Sequence, residues 1–223
     1  MPQTHWQDTY SRRPEMFGAA PSDSARAALA LFEETGRHTV LELGGGQGRD
    51  TLFFASHGLS VTVVDYAAAA IDAIAAKASA RGLDDRVTAV RHDVSEPLPF
   101  SDRTFDACYS HMLFCMALRE ADLQRLAADV WRALKPGGLH IYTVRHTGDA
   151  HYRAGIHRGE DMYEVGGFTV HFFDRGKIRR LAAGYELLAI DEFEEGRLPR
   201  KLFRVTLRKP LTPDTDSGTG GVQ

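Results

Sequence analysis

The chain changes character abruptly between Thr39 and Asp50: Thr39-Val40-Leu41-Glu42-Leu43 is mostly apolar, and Gly44-Gly45-Gly46-Gln47-Gly48-Arg49-Asp50 follows at once. The first part reads as a buried strand, the glycines as a tight turn, and Asp50 to His57 as a short helix. Outward from there the same alternation continues. Val61 to Asp65 is a β-branched strand, and an alanine-rich helix runs from Ala68 to Ala80, closed by Gly82. Val87 to Arg91 and Phe105 to Ser110 are two further strands. Between Arg119 and Leu134, the residues Leu123, Leu126, Ala127, Val130 and Leu134 fall on one helical face. Lys135-Pro136-Gly137-Gly138 breaks that helix before a strand from Leu139 to Val144. Strands alternating with helices predict an α/β fold with a parallel sheet and crossover helices.

Beyond Val144 the pattern weakens. His146 to Gly167 is polar, contains glycine and is longer than an ordinary connection, so it reads as a loop-like insertion, set at 145–171. Asp174 suits the N-cap of a helix ending near Ala183, with Gly184 after it. Glu186 to Phe193 and Lys201 to Arg208 read as two strands joined through Gly196 and Pro199. Residues 1–22 precede the first helix (Asp23 to Glu34) and are expected to form a lid. Residues 23–209 form one domain, and 210–223, rich in Thr, Asp, Ser and Gly, a disordered tail.

Composition narrows the class. With 223 residues, 43% hydrophobic and 26% charged, the chain can bury a core without disulfides or structural metal. Its 27 Lys and Arg against 30 Asp and Glu give no basic excess, so no nucleic-acid or membrane partner is expected. No apolar run approaches the ~20 residues of a membrane span. Met1 to Tyr10 is polar and does not look like a signal peptide, and Cys108 and Cys115 make neither a disulfide framework nor a zinc site. A reducing, cytoplasmic setting is the expectation.

A glycine turn between strand and helix lies where open α/β sheets bind ligands, and Asp65, ending the next strand, suits a ribose. The dinucleotide pattern G-x-G-x-x-G fails from Gly44, where Arg49 takes the last place, and from Gly46, where Thr51 does. The loop instead reads E-x-G-x-G-x-G from Glu42, and a carboxylate there favours a cation over a pyrophosphate. An ammonium together with a sulfonium fits, which points to S-adenosylmethionine.

These residues resemble the class I S-adenosylmethionine-dependent methyltransferases of small-molecule type, over roughly Val40 to Arg208. The family's glycine motif is similar to Glu42–Gly48, its ribose acid falls on Asp65, and its adenine acid on Asp93 in Arg91-His92-Asp93-Val94. Pro97 to Asp106 with Tyr109-Ser110-His111 resembles its fourth-strand motif, and Leu134 to Gly138 its turn before the fifth strand. The resemblance implies a Rossmann-like, seven-stranded, mostly parallel sheet with helices on both faces and a reversed terminal hairpin. It also implies cofactor contacts from Glu42, Gly44, Gly45, Gly46, Gly48, Asp65, Tyr66, His92, Asp93, Val94 and Ser110. The plainer readings are a helix N-cap for Asp65, a turn cap for Asp93 and a helix start for Arg49-Asp50-Thr51, and for Asp65 and Asp93 they come second to the ligand-binding ones.

Chemistry in such a family is an in-line attack on a methyl carbon, where positioning does most of the work. Catalytic roles are expected for His111 and Tyr109, just at the end of the fourth strand. The acceptor is expected to touch Tyr10 and Phe17 of the lid, His111, Met112, and Arg145, His146, His151 and Tyr152 of the insertion. Arg145 would grip a carboxylate or phosphate, making the acceptor a polar or anionic small molecule. His146, His151 and His157 do not match a metal spacing such as H-E-x-x-H, so no metal is expected. Three alternatives stay open: a protein or RNA methyltransferase, a non-catalytic S-adenosylmethionine-binding regulator, and a nicotinamide oxidoreductase.

Overall fold

A computed structural model describes residues 4–13, 16–196 and 200–211. The tail expected at 212–223 lies outside them. The elements are α1 (Thr4–Arg12), α2 (Asp23–Glu34), β1 (Thr39–Leu43), α3 (Arg49–Ser56), β2 (Ser60–Asp65), α4 (Ala68–Ser79), β3 (Val87–Arg91) and β4 (Phe105–His111). After them come α5 (Glu120–Ala133), β5 (Leu134–Arg145), β6 (Ile156–Gly159), β7 (Met162–Val165), β8 (Phe168–His171), α6 (Arg175–Leu181), β9 (Glu186–Glu195) and β10 (Arg200–Arg208).

Seven strands form one sheet in the order β3-β2-β1-β4-β5-β10-β9. The first five are parallel, while β10 runs antiparallel to both β5 and β9. This is the Rossmann-like arrangement with a reversed hairpin. Side chains alternate across the sheet, so each face has its own core. Val40, Val61, Val63, Ala107, Tyr109 and Ile141 pack under α2 and α3. Leu41, Leu43, Cys108, Tyr142, Val144 and Val205 pack under α5 and α6.

Three readings of the sequence need correction. The strand β5 begins at Leu134, so Lys135–Gly138 belongs to it rather than standing apart as a turn. The insertion is not a loop: β6, β7 and β8 form a small antiparallel sheet of their own. The first helix is α1, ahead of the one at Asp23 to Glu34 that was expected to come first. Among the described residues no helix is long and apolar enough to cross a membrane.

Candidate active site

The chain leaves β1 toward β2 on one side of the sheet and β4 toward β5 on the other, which opens a crevice beyond their carboxyl ends. Gly44 to Gly48 forms its floor. Gly46 sits at φ +54° and Gly48, which caps α3, at φ +83°, conformations that glycine adopts at little cost. No side chain caps α3, so its first N–H groups are left for the loop and a ligand.

Two carboxylates define the electrostatics. Asp65 Oδ2 accepts the Gly46 N–H at 2.9 Å and Oδ1 accepts the Ala67 N–H at 2.9 Å. Asp65 therefore fastens the glycine loop, and a carboxylate with about four acceptor positions keeps room for ligand hydroxyls. Burial pushes its pKa up to about 6. Glu42 is 3% exposed, and its Oε2 has no partner among the described residues. Burial, with Asp50 nearby, pushes Glu42 up to about 8. Arg49 offsets only part of this, and a buried carboxyl left without a close partner is costly unless a ligand answers it.

Around the crevice, the Tyr66 hydroxyl accepts the Trp6 N–H at 3.0 Å. His92 Nε2 and Ser110 Oγ are buried polar atoms without partners among the described residues. Asp93 Oδ1 accepts the Ser95 N–H at 2.9 Å, the turn-capping role weighed above, and Val94 packs against the core.

The segment before Ser22 is fastened at several points. Gln7 Oε1 accepts the Ala69 N–H at 3.2 Å. Gln47, from the glycine loop, accepts the Met16 N–H at 2.9 Å through Oε1 and donates Nε2–H to the Arg13 carbonyl at 3.0 Å. The Tyr10 hydroxyl lies 3.1 Å from where a Cβ on Gly46 would stand. Trp6 stacks on Tyr10 at 5.4 Å and meets Phe168 of β8 at 5.6 Å, joining lid to insertion, while Phe17 is 39% exposed. Deleting the residues before Ser22 is expected to leave the sheet folded but to speed cofactor dissociation on the order of tenfold, the equivalent of one or two lost hydrogen bonds. Stopped-flow release of S-adenosylhomocysteine checks this, and an unchanged rate would make the segment a mere appendage.

The residues expected to meet an acceptor fall into two groups, those at the rim of the crevice and those engaged elsewhere. His111 Nδ1 is 3.1 Å from Thr143 Oγ1, and its Nε2 is 3.2 Å from Glu195 Oε2. Met112 follows at φ +66°, its N–H donating to Thr143 Oγ1 at 2.9 Å. Tyr109 is a correction. It is wholly buried against Phe54, and its hydroxyl is held by Ser22 Oγ at 3.0 Å and Asp50 Oδ2 at 3.2 Å. Asp50 also accepts the Ser22 N–H at 2.8 Å, so this trio ties α2, α3 and β4 together and cannot reach an acceptor.

Arg145 is a second correction. Its guanidinium pairs bidentately with Asp149, both side chains being buried, and lies over the Phe172 ring at 5.4 Å. It also donates to His151 Nδ1 at 3.1 Å. Its Nε and Nη2 are thus spent inside the insertion, and the side chain is buried there. His146 accepts the Gly148 N–H at 2.9 Å and stacks on Phe203, and the Tyr152 hydroxyl donates to Asp161 at 2.9 Å. These insertion residues hold the insertion itself. Among the described residues, no three His, Cys, Asp or Glu side chains gather as a metal site would need.

Sequence reasoning missed Glu195 and Thr143. The signal for Glu195 was topological: Leu202 of β10 pairs with Arg145 at the end of β5, so the β9–β10 hairpin tip returns to the crevice rim.

Residues 40–138 match a family model described as a methyltransferase domain. The 24-methylenesterol C-methyltransferase 2 of Oryza sativa subsp. japonica is 30% identical over 144 residues, covering 61% of this chain and 38% of that protein. The phosphoethanolamine N-methyltransferase 1 of Triticum aestivum is 32% identical over 117 residues, 51% of this chain and 22% of that one. The chain thus spans well under half the length of either relative. The Burkholderia thailandensis 1,6-didemethyltoxoflavin-N1-methyltransferase, solved with that compound and S-adenosylhomocysteine, superposes with a TM-score of 0.72 at 21% identity, over 93% of this chain and 87% of that one.

Proposed function

We propose that this chain, which carries a methyltransferase domain over residues 40–138 on the class I S-adenosylmethionine-dependent fold, transfers a methyl group to a small-molecule acceptor. The observation that carries the reading is Glu42, a buried carboxyl with an unanswered oxygen beside a glycine cradle. That donor set suits a ligand with an ammonium and a sulfonium. S-adenosylmethionine, when bound, supplies a methyl group activated by its positive sulfur. Glu42 would answer the ammonium, the loop from Gly44 to Gly48 would let the backbone approach closely, and Asp65 would hold the ribose. His92 and Ser110 offer orphaned polar atoms to the remaining edge. Tyr10 and the lid would exclude water, while His111 and Glu195 stand at the rim where an acceptor enters. A latched lid over a crevice favours a small acceptor, and the small molecules in the relatives' names agree with that. Incubation with methyl-labelled S-adenosylmethionine and a cell extract tests the reading. Label in the small-molecule fraction supports it; label confined to protein or RNA, or no transfer, overturns it.

Asp65→Ala is expected to weaken S-adenosylmethionine binding by about 1.5–3 kcal/mol, because charge-assisted hydrogen bonds are lost. Asp65→Asn, which keeps one acceptor oxygen, should cost less. Unchanged affinity by titration would remove the ribose role.

Glu42 sets a pH dependence. Its folded pKa, about 8, lies above the ordinary carboxyl value of 4.5, so the free fold binds an extra proton between those values and loses stability as pH rises through them. A bound cation favours the ionised form. Binding at pH 7 should therefore release up to about one proton, and affinity should climb toward pH 8. Calorimetry in buffers of different ionisation enthalpy measures the release, which Glu42→Gln should abolish. Equal proton release by that variant would assign the proton elsewhere.

A further inference from the structure

We propose that Glu195, and not the imidazole of His111, takes the acceptor's proton, and that the acceptor is therefore a nucleophile bearing N–H or O–H. The proposal rests on the methyl-transfer reading above.

Thr143 Oγ1 accepts the Met112 N–H at 2.9 Å, and the positive φ of Met112 fixes where that N–H points. The hydroxyl has one proton of its own to give, and His111 Nδ1 stands 3.1 Å away. When the hydroxyl spends its proton on Nδ1, that nitrogen accepts and the ring carries its proton on Nε2, 3.2 Å from Glu195 Oε2. The opposite tautomer would set the Nε2 lone pair against a carboxylate oxygen, a repulsive contact. The ring's two nitrogens are thus both occupied, and His111 is left no lone pair for an acceptor.

Glu195 has one. Its side chain is 21% exposed at the rim, and among the described residues no other group hydrogen-bonds to it. The His111 hydrogen bond holds its carboxyl below the ordinary range, so it is ionised at neutral pH. Arg49 and Arg200 act in the same direction from farther off, and Arg49 is itself engaged by Asp50 at 3.2 Å. His111 is the positioning residue that aims this carboxylate.

The step balances. The acceptor's lone pair forms the bond to carbon as the carbon–sulfur bond breaks, its electron pair leaving on a neutral thioether sulfur. The proton remaining on the acceptor's nitrogen or oxygen passes to Glu195, and from there to water.

Nitrogen NMR of the His111 ring in the full chain, with S-adenosylhomocysteine bound at pH 8, reads the tautomer directly. The expected result is a protonated Nε2 and a bare Nδ1, with the Nε2–H signal moving in Glu195→Gln while cofactor affinity stays within about twofold. A protonated Nδ1 with a bare Nε2, or a doubly protonated ring, overturns the assignment. Failure of the wild-type chain to bind S-adenosylhomocysteine at all would instead count against the methyl-transfer reading. The second measurement offers matched aromatic acceptors differing only in the reacting group: amine, hydroxyl or methyl thioether. Transfer to the amine or the hydroxyl, falling about 100-fold or more in Glu195→Gln at unchanged KM for S-adenosylmethionine, supports the proposal and tells the two protic classes apart. Transfer to the thioether alone, or a Glu195→Gln variant at wild-type rate, overturns it.

Discussion

Arg145→Ala is expected to destabilise the fold by about 3–5 kcal/mol, because it strands a buried carboxylate. The side chains of Arg145 and Asp149 are only 7% and 2% exposed. Asp149 collects the guanidinium together with the His151 N–H at 2.8 Å and the Lys201 N–H at 2.9 Å, so it ties the insertion to the start of β10. Burial alone would raise its pKa, yet the Arg145 hydrogen bond brings it below the usual value. Without Arg145 the charge has two backbone donors and no counter-ion. Urea unfolding of the full chain measures the loss. A change under about 1 kcal/mol, with only acceptor binding weakened, would return Arg145 to the acceptor site that its place at the end of β5 first suggested.

Gly46→Val is expected to abolish measurable cofactor binding while the sheet survives. A β-branched residue held at φ +54° carries a strain of about 1–3 kcal/mol. Its Cβ would meet the Tyr10 hydroxyl at 3.1 Å, the tip of a lid side chain that can move aside. It would fill the space through which, on the proposed reading, a ligand approaches the Gly46 backbone. Gly45 supplies the contrast: a Cβ there would stand 2.2 Å from Val63 Cγ2 in the core, so Gly45→Val should damage folding itself. Circular dichroism together with titration separates the two. Wild-type affinity in Gly46→Val would mean that the glycine serves only the turn.

The parts of this chain that were legible in its sequence are those where local pattern and tertiary role coincide. Strand β1 is an apolar run ended by Gly44 and β2 one ended by Asp65, and the alternation of such runs with helical patterns left one sensible architecture. The small sheet was hidden because β6, β7 and β8 are each four residues long, with Gly159, Gly166 and Gly167 between or within them. Such strands are too short for alternation to show. The helix α1 was hidden because its aromatic residues serve the crevice rather than a helical face of a core.

The site divides in the same way. Glu42, the glycines and Asp65 are adjacent in sequence or one strand apart, so their coming together could be read from spacing, and Asp65 does hold the Gly46 N–H. Arg145 misled for a physical reason. A basic residue at a strand's end looks available for ligand, and nothing in the sequence says that Asp149, in a turn rather than a helix, folds back onto it. Tyr109 misled similarly, since Ser22 and Asp50 meet it only after α2 and α3 pack on the sheet. Thr143 meets His111 through the parallel pairing of β4 with β5, and Glu195 reaches the same ring only through the antiparallel return of β9 and β10.

The most direct test of the central claim is a calorimetric titration of the full chain with S-adenosylmethionine and, in parallel, with NAD, repeated on Glu42→Gln. Saturable binding of S-adenosylmethionine, none of NAD, and at least tenfold weaker binding by Glu42→Gln is the result expected of a cradle built for a cation, tenfold being about 1.4 kcal/mol. Binding of NAD in preference, or S-adenosylmethionine binding indifferent to Glu42, would contradict it.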